Sequence, residues 1–280
     1  MPTVADRRRT FRTLHERGCF VLPNPWDVGS ARYLQSLGFQ ALATTSAGAA
    51  YAIALPDGGV SRDAMLAHIA ALVAATDVPV NADFGAGYAD APEDVALNVR
   101  LCVDTGVAGL SIEDATGDPA RPLYDIHLAA KRVRAARAAI EALGADVMLT
   151  GRAEGMLGSD PDLSAAIRRL RAYADAGADC LYAPGITTRD QIAAVVAAVA
   201  PKPVNVLATP ALGLTVQELA ALGVRRLSVG SGLARTGWGA FMRAARTIAS
   251  DGRFDGMADA ASPKELNGLF RDDARRRGSS

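Results

Sequence analysis

Gly38-Phe-Gln-Ala-Leu42, Gly106-Val-Ala-Gly-Leu110, Gly177-Ala-Asp-Cys-Leu181 and Gly223-Val-Arg-Arg-Leu227 repeat one phrase along the chain. In each, a glycine stands where a helix must close and a short apolar run follows. Glycine takes the left-handed conformation that ends a helix, and a short apolar run is how a doubly covered parallel strand reads. Leu143-Gly144-Ala-Asp-Val-Met-Leu149 is a near copy. Collecting all such runs predicts eight strands, near residues 20–22, 41–44, 80–83, 109–112, 147–150, 180–182, 204–207 and 227–229. Helical windows lie between them at 31–36, 62–75, 92–104, 126–143, 163–176, 189–200 and 215–222, and 234–250 reads as the helix of the eighth strand. Eight βα units predict an α/β fold, a (β/α)8 TIM-type barrel. An open dinucleotide-binding sheet would need a Gly-rich phosphate turn after its first strand, and Phe20-Val-Leu-Pro-Asn-Pro-Trp26 has none.

The 280 residues fit one barrel, so 1–280 is read as a single domain with 251–280 as a C-terminal helical extension and tail. Ser262 and Pro263 open an additional helix over 263–270, where Leu266, Leu269 and Phe270 share a face at spacings of three and four. That face packs either on its own barrel or on a neighbouring subunit.

Half the residues are hydrophobic, enough for a large core, and 30 Lys+Arg balance 30 Asp+Glu. Without net charge there is no field to gather nucleic acid or an anionic membrane, so a small-molecule partner is expected. The basic runs Arg7-Arg8-Arg9 and Arg275-Arg276-Arg277 read as solvated tails. No apolar run reaches the ~18–20 residues of a membrane span. Cys19, Cys102 and Cys180 are odd in number and widely separated, without a CxxC pair or a secretory leader, so disulfides and structural zinc are not expected and the cytoplasm is. His15, His68 and His127 fall in helices or the N-terminal segment, away from the strand ends, and read as structural.

In a barrel, side chains at the C-terminal strand ends face the active site. The third strand ends in Asn81-Ala-Asp83-Phe-Gly-Ala-Gly-Tyr88, the fourth in Ser111-Ile-Glu113-Asp114, and Asp57 follows the second within Leu55-Pro-Asp-Gly-Gly59. Alternation puts Asn81 and Asp83 on one face. Three acids on one rim repel unless a cation lies among them, and an all-oxygen set suits Mg2+, with Mn2+ as the second choice. Arg152 leaves the fifth strand at the same end, where its fork suits a carboxylate; its bland role is an ion pair with Glu113 or Glu154. Thr44-Thr45-Ser46-Ala47-Gly48 offers hydroxyls and amides to an anion, and Asn205, in the seventh strand, is a further substrate-binding candidate.

These segments, with Gly151-Arg-Ala-Glu154 and Ser228-Val-Gly-Ser-Gly-Leu233, resemble the isocitrate lyase/phosphoenolpyruvate mutase superfamily over nearly the whole chain. The resemblance implies that Asp57, Asp83 and Glu113 serve a Mg2+ shell partly through water. Asn81 occupies a place where many members carry a second Asp, and Arg152, Ser46 and the Ala47 amide grip the carboxylate of a pyruvate-enolate core. It also implies a homo-oligomer, a tetramer in which the terminal helix packs on a neighbour. The chain departs from the family between Glu113 and Asp125, where Ala-Thr-Gly-Asp-Pro-Ala-Arg-Pro-Leu-Tyr follows the acidic pair. The Lys-x-Cys-Gly loop of isocitrate and methylisocitrate lyases is missing, as are the Lys and Asn of the phosphonopyruvate-processing members. Residues 116–125 remain a candidate lid, with Arg121 and Tyr124 as its polar contributors, and Tyr88 or Tyr124 is the candidate proton donor. The resulting expectation is a Mg2+-dependent lyase on a small 2-oxo or 2-hydroxy (di)carboxylate, by oxaloacetate-type decarboxylation or retro-aldol cleavage through an enolate. Carbon–phosphorus chemistry on a phosphonopyruvate-like substrate and non-catalytic binding of a 2-oxo acid are the alternatives.

Overall fold

Apolar strands of two to five residues cannot bury themselves, and here they do so by lining up in parallel beneath a ring of helices. The computed structural model describes residues 2–278. Its strands are β1 Phe20–Leu22, β2 Leu42–Ala43, β3 Val80–Asp83, β4 Gly109–Glu113, β5 Met148–Arg152, β6 Cys180–Tyr182, β7 Val204–Leu207 and β8 Arg226–Ser228. The helices are α1 Val4–Glu16, α2 Val28–Ser36, α3 Ser46–Ala52, α4 Arg62–Ala75, α5 Pro92–Asp104, α6 Ile126–Ala142, α7 Leu163–Asp175, α8 Arg189–Val199, α9 Val216–Ala221, α10 Gly232–Asp251 and α11 Pro263–Gly278. Parallel pairing runs in the order β1-β8-β7-β6-β5-β4-β3-β2, a nearly closed (β/α)8 barrel. At the remaining seam Pro23 ends the first strand, and the gap is bridged by the Ala43 amide donating to Pro23 O at 3.0 Å and by Asn24 Nδ2 donating to Thr44 O at 2.8 Å.

The N-terminal ends of the strands are closed by α1, a helix that the charged run Arg7-Arg8-Arg9 conceals in the sequence. The expectation of a solvated tail is corrected here. Arg7 Nη1 donates to Val73 O and Thr76 O at 2.9 and 3.0 Å, and Arg8 donates to Val103 O and Val107 O, both at 3.0 Å. Both arginines thus donate to carbonyls at or just beyond the C-terminal ends of α4 and α5. Between them and the barrel, Phe11 is wholly buried against Gly109, where a Cβ would lie 2.6 Å from the Phe11 ring; only glycine permits that approach. Arg275-Arg276-Arg277 is likewise helical, in the last turn of α11, with Arg277 donating to Ala74 O.

His15 stacks edge-on against Phe11 and Phe20, with ring centroids 4.7 and 4.9 Å away. Its Nδ1 donates to Phe11 O at 2.7 Å, which leaves Nε2 as an acceptor facing Arg226. Burial and the Arg226 charge push its pKa from 6.5 down to about 3. The unfolded chain therefore takes up a proton below pH 6.5 that the folded chain refuses. The His15 contribution is intact above pH 6.5 and is lost as pH falls towards about 3, at up to roughly 1.4 kcal/mol per pH unit. Urea denaturation at pH 7 and pH 4.5 should show this loss, and His15→Gln should flatten it; an unaltered slope in the variant would acquit the histidine.

Cys102 and Cys180 are buried, Cys19 is partly buried, and all three are free. His68 and His127 lie in α4 and α6. Among the described residues no helix is long and apolar enough to cross a membrane. Helix α10 forms over the expected segment but does not pack as the barrel's eighth covering helix: of its twenty residues only Ala234 is buried. Helix α11 is twice as long as expected and is tied to α2 of its own barrel by the bidentate pair of Asp273 with buried Arg32, while Leu266 and Phe270 stay exposed.

Candidate active site

Parallel register sets the site. Glu113 stands beside Arg152 at the last rung of β4 and β5, and Asp83 ends β3 beside Ser111, two residues before Glu113, so two acids and a guanidinium leave the same end of the barrel. Arg152 Nη1 lies 3.3 Å from Asp83 Oδ1 and 3.2 Å from Glu113 Oε2, which fixes the two carboxylates as neighbours on one rim. The other edge of the fork, Nε and Nη2, binds both oxygens of Glu154, and the Tyr182 ring lies beneath with its centroid 5.3 Å from Cζ. Arg152 thus makes the ion pairs of its bland reading, with Asp83 as an additional partner. Asp83 Oδ2 accepts the Ser46 amide at 2.9 Å, and Ser46 Oγ reaches Asp57 Oδ1 at 3.2 Å, which links the third acid.

A cavity of about 430 Å3 opens here, lined by Ser46, Asp57, Tyr88, Glu113, Arg152 and Glu154, with Thr116 of the candidate lid opposite. Tyr88 reaches it from a left-handed backbone, φ 58°, a conformation that costs a non-glycine residue energy and collects at functional sites. Burial, reinforced by Asp83, holds its phenol protonated well above the ordinary range. Buried Arg132 fixes the loop that carries it by donating to the carbonyls of Ala86, Ala89 and Asp90.

The remaining expected residues lie elsewhere. The Tyr124 hydroxyl donates to Asp90 and its ring stacks under Arg132, 4.0 Å from Cζ, so the structure does not bring it to the cavity. The Thr45 hydroxyl is spent as the cap of α3, accepting the Gly48 amide, while Ala47 sits in the first turn, where amides lack helical partners. Asn81 and Asn205 are one layer lower, around a second cavity of about 40 Å3 that also touches Asp83 and Arg152. Asn205 is bonded to Ser228 and Arg226. Arg121 pairs with Asp118 at the exposed loop surface.

Three carboxylates pair with one arginine and a fourth, Asp57, lines the same cavity, and this crowding tests the metal reading. Burial drives Glu113 well above the ordinary carboxylate range; Arg152 opposes the shift, while Glu154, Asp83 and Asp57 add to it. The donors are oxygens, and buried Asn81 Oδ1 has no hydrogen-bond partner among the described residues. An all-oxygen, over-negative set fits a hard divalent cation. Among the described residues no three acids, histidines or cysteines form a ready-made cage, and the Arg152 guanidinium stands between Asp83 and Glu113.

Asp114 was legible only as part of a motif, and Glu154 only as an ion-pair partner of Arg152. Asp114 is 2% exposed and accepts the Glu154 amide at 2.8 Å, Arg169 Nη1 at 3.0 Å and the Tyr173 hydroxyl. Arg169 also donates to Tyr124 O, and the Tyr124 amide to the Asp114 backbone carbonyl, both at 2.9 Å, so Asp114, by its carboxylate and its carbonyl, ties the Tyr124 end of the candidate lid to the Arg152 clamp. Asp114→Asn keeps the shape but leaves Arg169 facing an amide. It should cost about 1.5–3 kcal/mol in urea denaturation and loosen oxalate binding; a variant of native stability would show that the network carries no strain-bearing load.

Residues 11–249 match the family model for phosphoenolpyruvate phosphomutase. A provisionally assigned lyase/mutase of Burkholderia cenocepacia J2315 has a crystal structure that superposes with a TM-score of 0.91 at 50% identity, covering 95% of this chain and 96% of that one. An uncharacterized protein of Mycobacterium tuberculosis strain H37Rv is 37% identical over 87% of this chain and 90% of its own length. The oxaloacetate decarboxylase of Bradyrhizobium sp. is 30% identical over 95% and 90%. With eight parallel strands, the acid–arginine rim and these matches, the chain belongs to the phosphoenolpyruvate phosphomutase family within the isocitrate lyase/phosphoenolpyruvate mutase superfamily of lyases and mutases.

Proposed function

We propose that the protein is a cytoplasmic, Mg2+-dependent carbon–carbon lyase that decarboxylates oxaloacetate or a close 2-oxo dicarboxylate through an enolate. The observation that carries this reading is Arg152 paired with three acids beside a cavity of about 430 Å3 that a fourth, Asp57, also lines, a volume suited to a small dicarboxylate. Similarity to an oxaloacetate decarboxylase over nearly the full length supports it. Asp57, Asp83 and Glu113 would hold the ion, with Asn81 supporting from below. Bound there, a divalent cation supplies Lewis-acid stabilisation of developing oxyanion charge.

The chain's own part is orientation and proton control. Arg152, Ser46 and the Ala47 amide hold the carboxylate next to the 2-oxo group. Breaking the bond to the other carboxylate releases CO2 and leaves an electron pair on carbon, which takes a proton from Tyr88 or from water. This step asks nothing of a cysteine, and the loop contains none. Turnover of a panel of 2-oxo acids with and without Mg2+, competed by oxalate, tests the reading. Metal-dependent CO2 release from oxaloacetate is expected; turnover confined to a phosphonate, or oxalate binding without any turnover, would overturn it.

The active form is proposed to be a homo-oligomer, a tetramer. Leu233, Trp238, Phe241, Met242 and Ile248 of α10 are each more than a third exposed, and an apolar groove of about 470 Å3 runs between α10 and Tyr51, Ala54 and Leu55. Monomers seldom leave so much contiguous apolar surface open. Light scattering at micromolar concentration should report an assembly; a monomer would defeat this.

A further inference from the structure

Arg226 is a cation that the barrel buries without a carboxylate. It stands on β8, 2% exposed, and its guanidinium donates to Asn205 Oδ1 at 2.9 Å, Thr150 Oγ1 at 3.1 Å and His15 Nε2 at 3.4 Å. All three partners are neutral. Hydrogen bonds satisfy its donors but leave the charge itself uncompensated, and an uncompensated buried charge is costly.

The opposite charge lies one layer up. Arg226 and Asp83 line the same cavity of about 40 Å3, which Arg152 also touches. Above it, Asp83, Glu113 and Glu154 share a single arginine, and Asp57 joins the same rim through Ser46. The rim therefore carries surplus negative charge directly over a locked positive one. Asn205, Thr150 and His15 hold the guanidinium at the barrel floor, too deep to touch a ligand in the upper cavity, so its influence must pass through space.

We propose that Arg226 is a positioning residue that acts by its field: as buried counter-charge to the rim acids, it strengthens the grip on a dianionic ligand and restrains affinity for a free divalent cation. The inference rests on the metal–carboxylate reading above. Its signature is one of opposite signs. Removing a fixed positive charge weakens anion binding and tightens cation binding, whereas damage to packing weakens both.

Calorimetry on the full chain would measure the Kd of Mg2+ alone and of oxalate at saturating Mg2+. Between a unit charge and a doubly charged ligand about 10 Å away, an effective dielectric of about 40, between the protein and bulk-water values, changes an affinity roughly tenfold. Arg226→Met is expected to bind oxalate about tenfold more weakly and Mg2+ several-fold more tightly, and Arg226→Lys, which keeps the charge, to restore both towards the parent. Should Arg226→Met not fold, Arg226→Gln drops the charge while keeping an amide for Asn205. Parallel weakening of both ligands, or no change in either, would overturn the field role and leave Arg226 a packing residue. A parent chain that binds neither Mg2+ nor oxalate would instead sink the metal–carboxylate reading itself.

Discussion

Arg152→Lys is expected to fold normally and to lose roughly 10²–10³ in kcat/KM on whichever 2-oxo acid the chain turns over best, the loss typical of removing one preorganised charge-stabilising contact. The geometry explains why the conservative change fails. Nε and Nη2 are engaged by Glu154, so Nη1 is the nitrogen that faces Asp83 and Glu113 and can exchange them for an incoming carboxylate. An ammonium offers one point of charge and no planar fork, so it can keep Glu154 or face the rim, but not both. The cation–π face over Tyr182 is weakened as well. Steady-state kinetics with circular dichroism as the fold control would decide. Activity within threefold of the parent would show that the cluster needs only a positive charge and not its shape.

The difference between what the chain spells and what only the folded barrel shows follows one physical line. Strands β1, β3, β6 and β7 match their predicted spans, because glycine closure and an apolar run are local signals. Asp83, Glu113 and Arg152 were equally legible: a charge ending a buried parallel strand needs a partner, and alternation fixes its side. Glu154 was legible as an ion-pair partner of Arg152, two residues beyond it, although it starts a 3-10 turn after the strand has ended. Helix α1 was not legible, since its order comes from Arg7 and Arg8 reaching carbonyls about 66 to 99 residues away, and its buried residues are only Phe11 and His15. Helix α3 is seven residues, small but for Tyr51, held by the Thr45 cap and too short for periodicity to register. Tyr124 had the right residue type in the right loop, but its hydroxyl is directed by Asp90, 34 residues earlier. Asn205 and Arg226 meet across two strands, a pairing that register decides and sequence does not print.

Asp83→Ala is expected to abolish metal-dependent oxalate binding in calorimetry while the barrel stays folded. Asp83 is the one acid that touches both halves of the proposed site: Oδ1 faces Arg152, and Oδ2 accepts the Ser46 amide that begins α3. Its backbone amide is held separately by Thr44 Oγ1 at 2.9 Å, so the strand end survives removal of the carboxylate. Losing the acceptor at the start of α3 should cost about 1 kcal/mol, the usual value of a helix cap, which is too little to unfold a domain of this size. Asp83→Asn separates the two roles. The amide oxygen can still receive Ser46 N–H and keep α3 in place, but the ligand charge is gone and one donor now faces Arg152. If Asp83 serves the metal, Asn should fail as completely as Ala; if it only positions the Ser46–Ala47 anion cradle, Asn should restore binding. Oxalate affinity retained in both variants would remove Asp83 from the site altogether and leave Asp57 and Glu113 to account for any metal dependence.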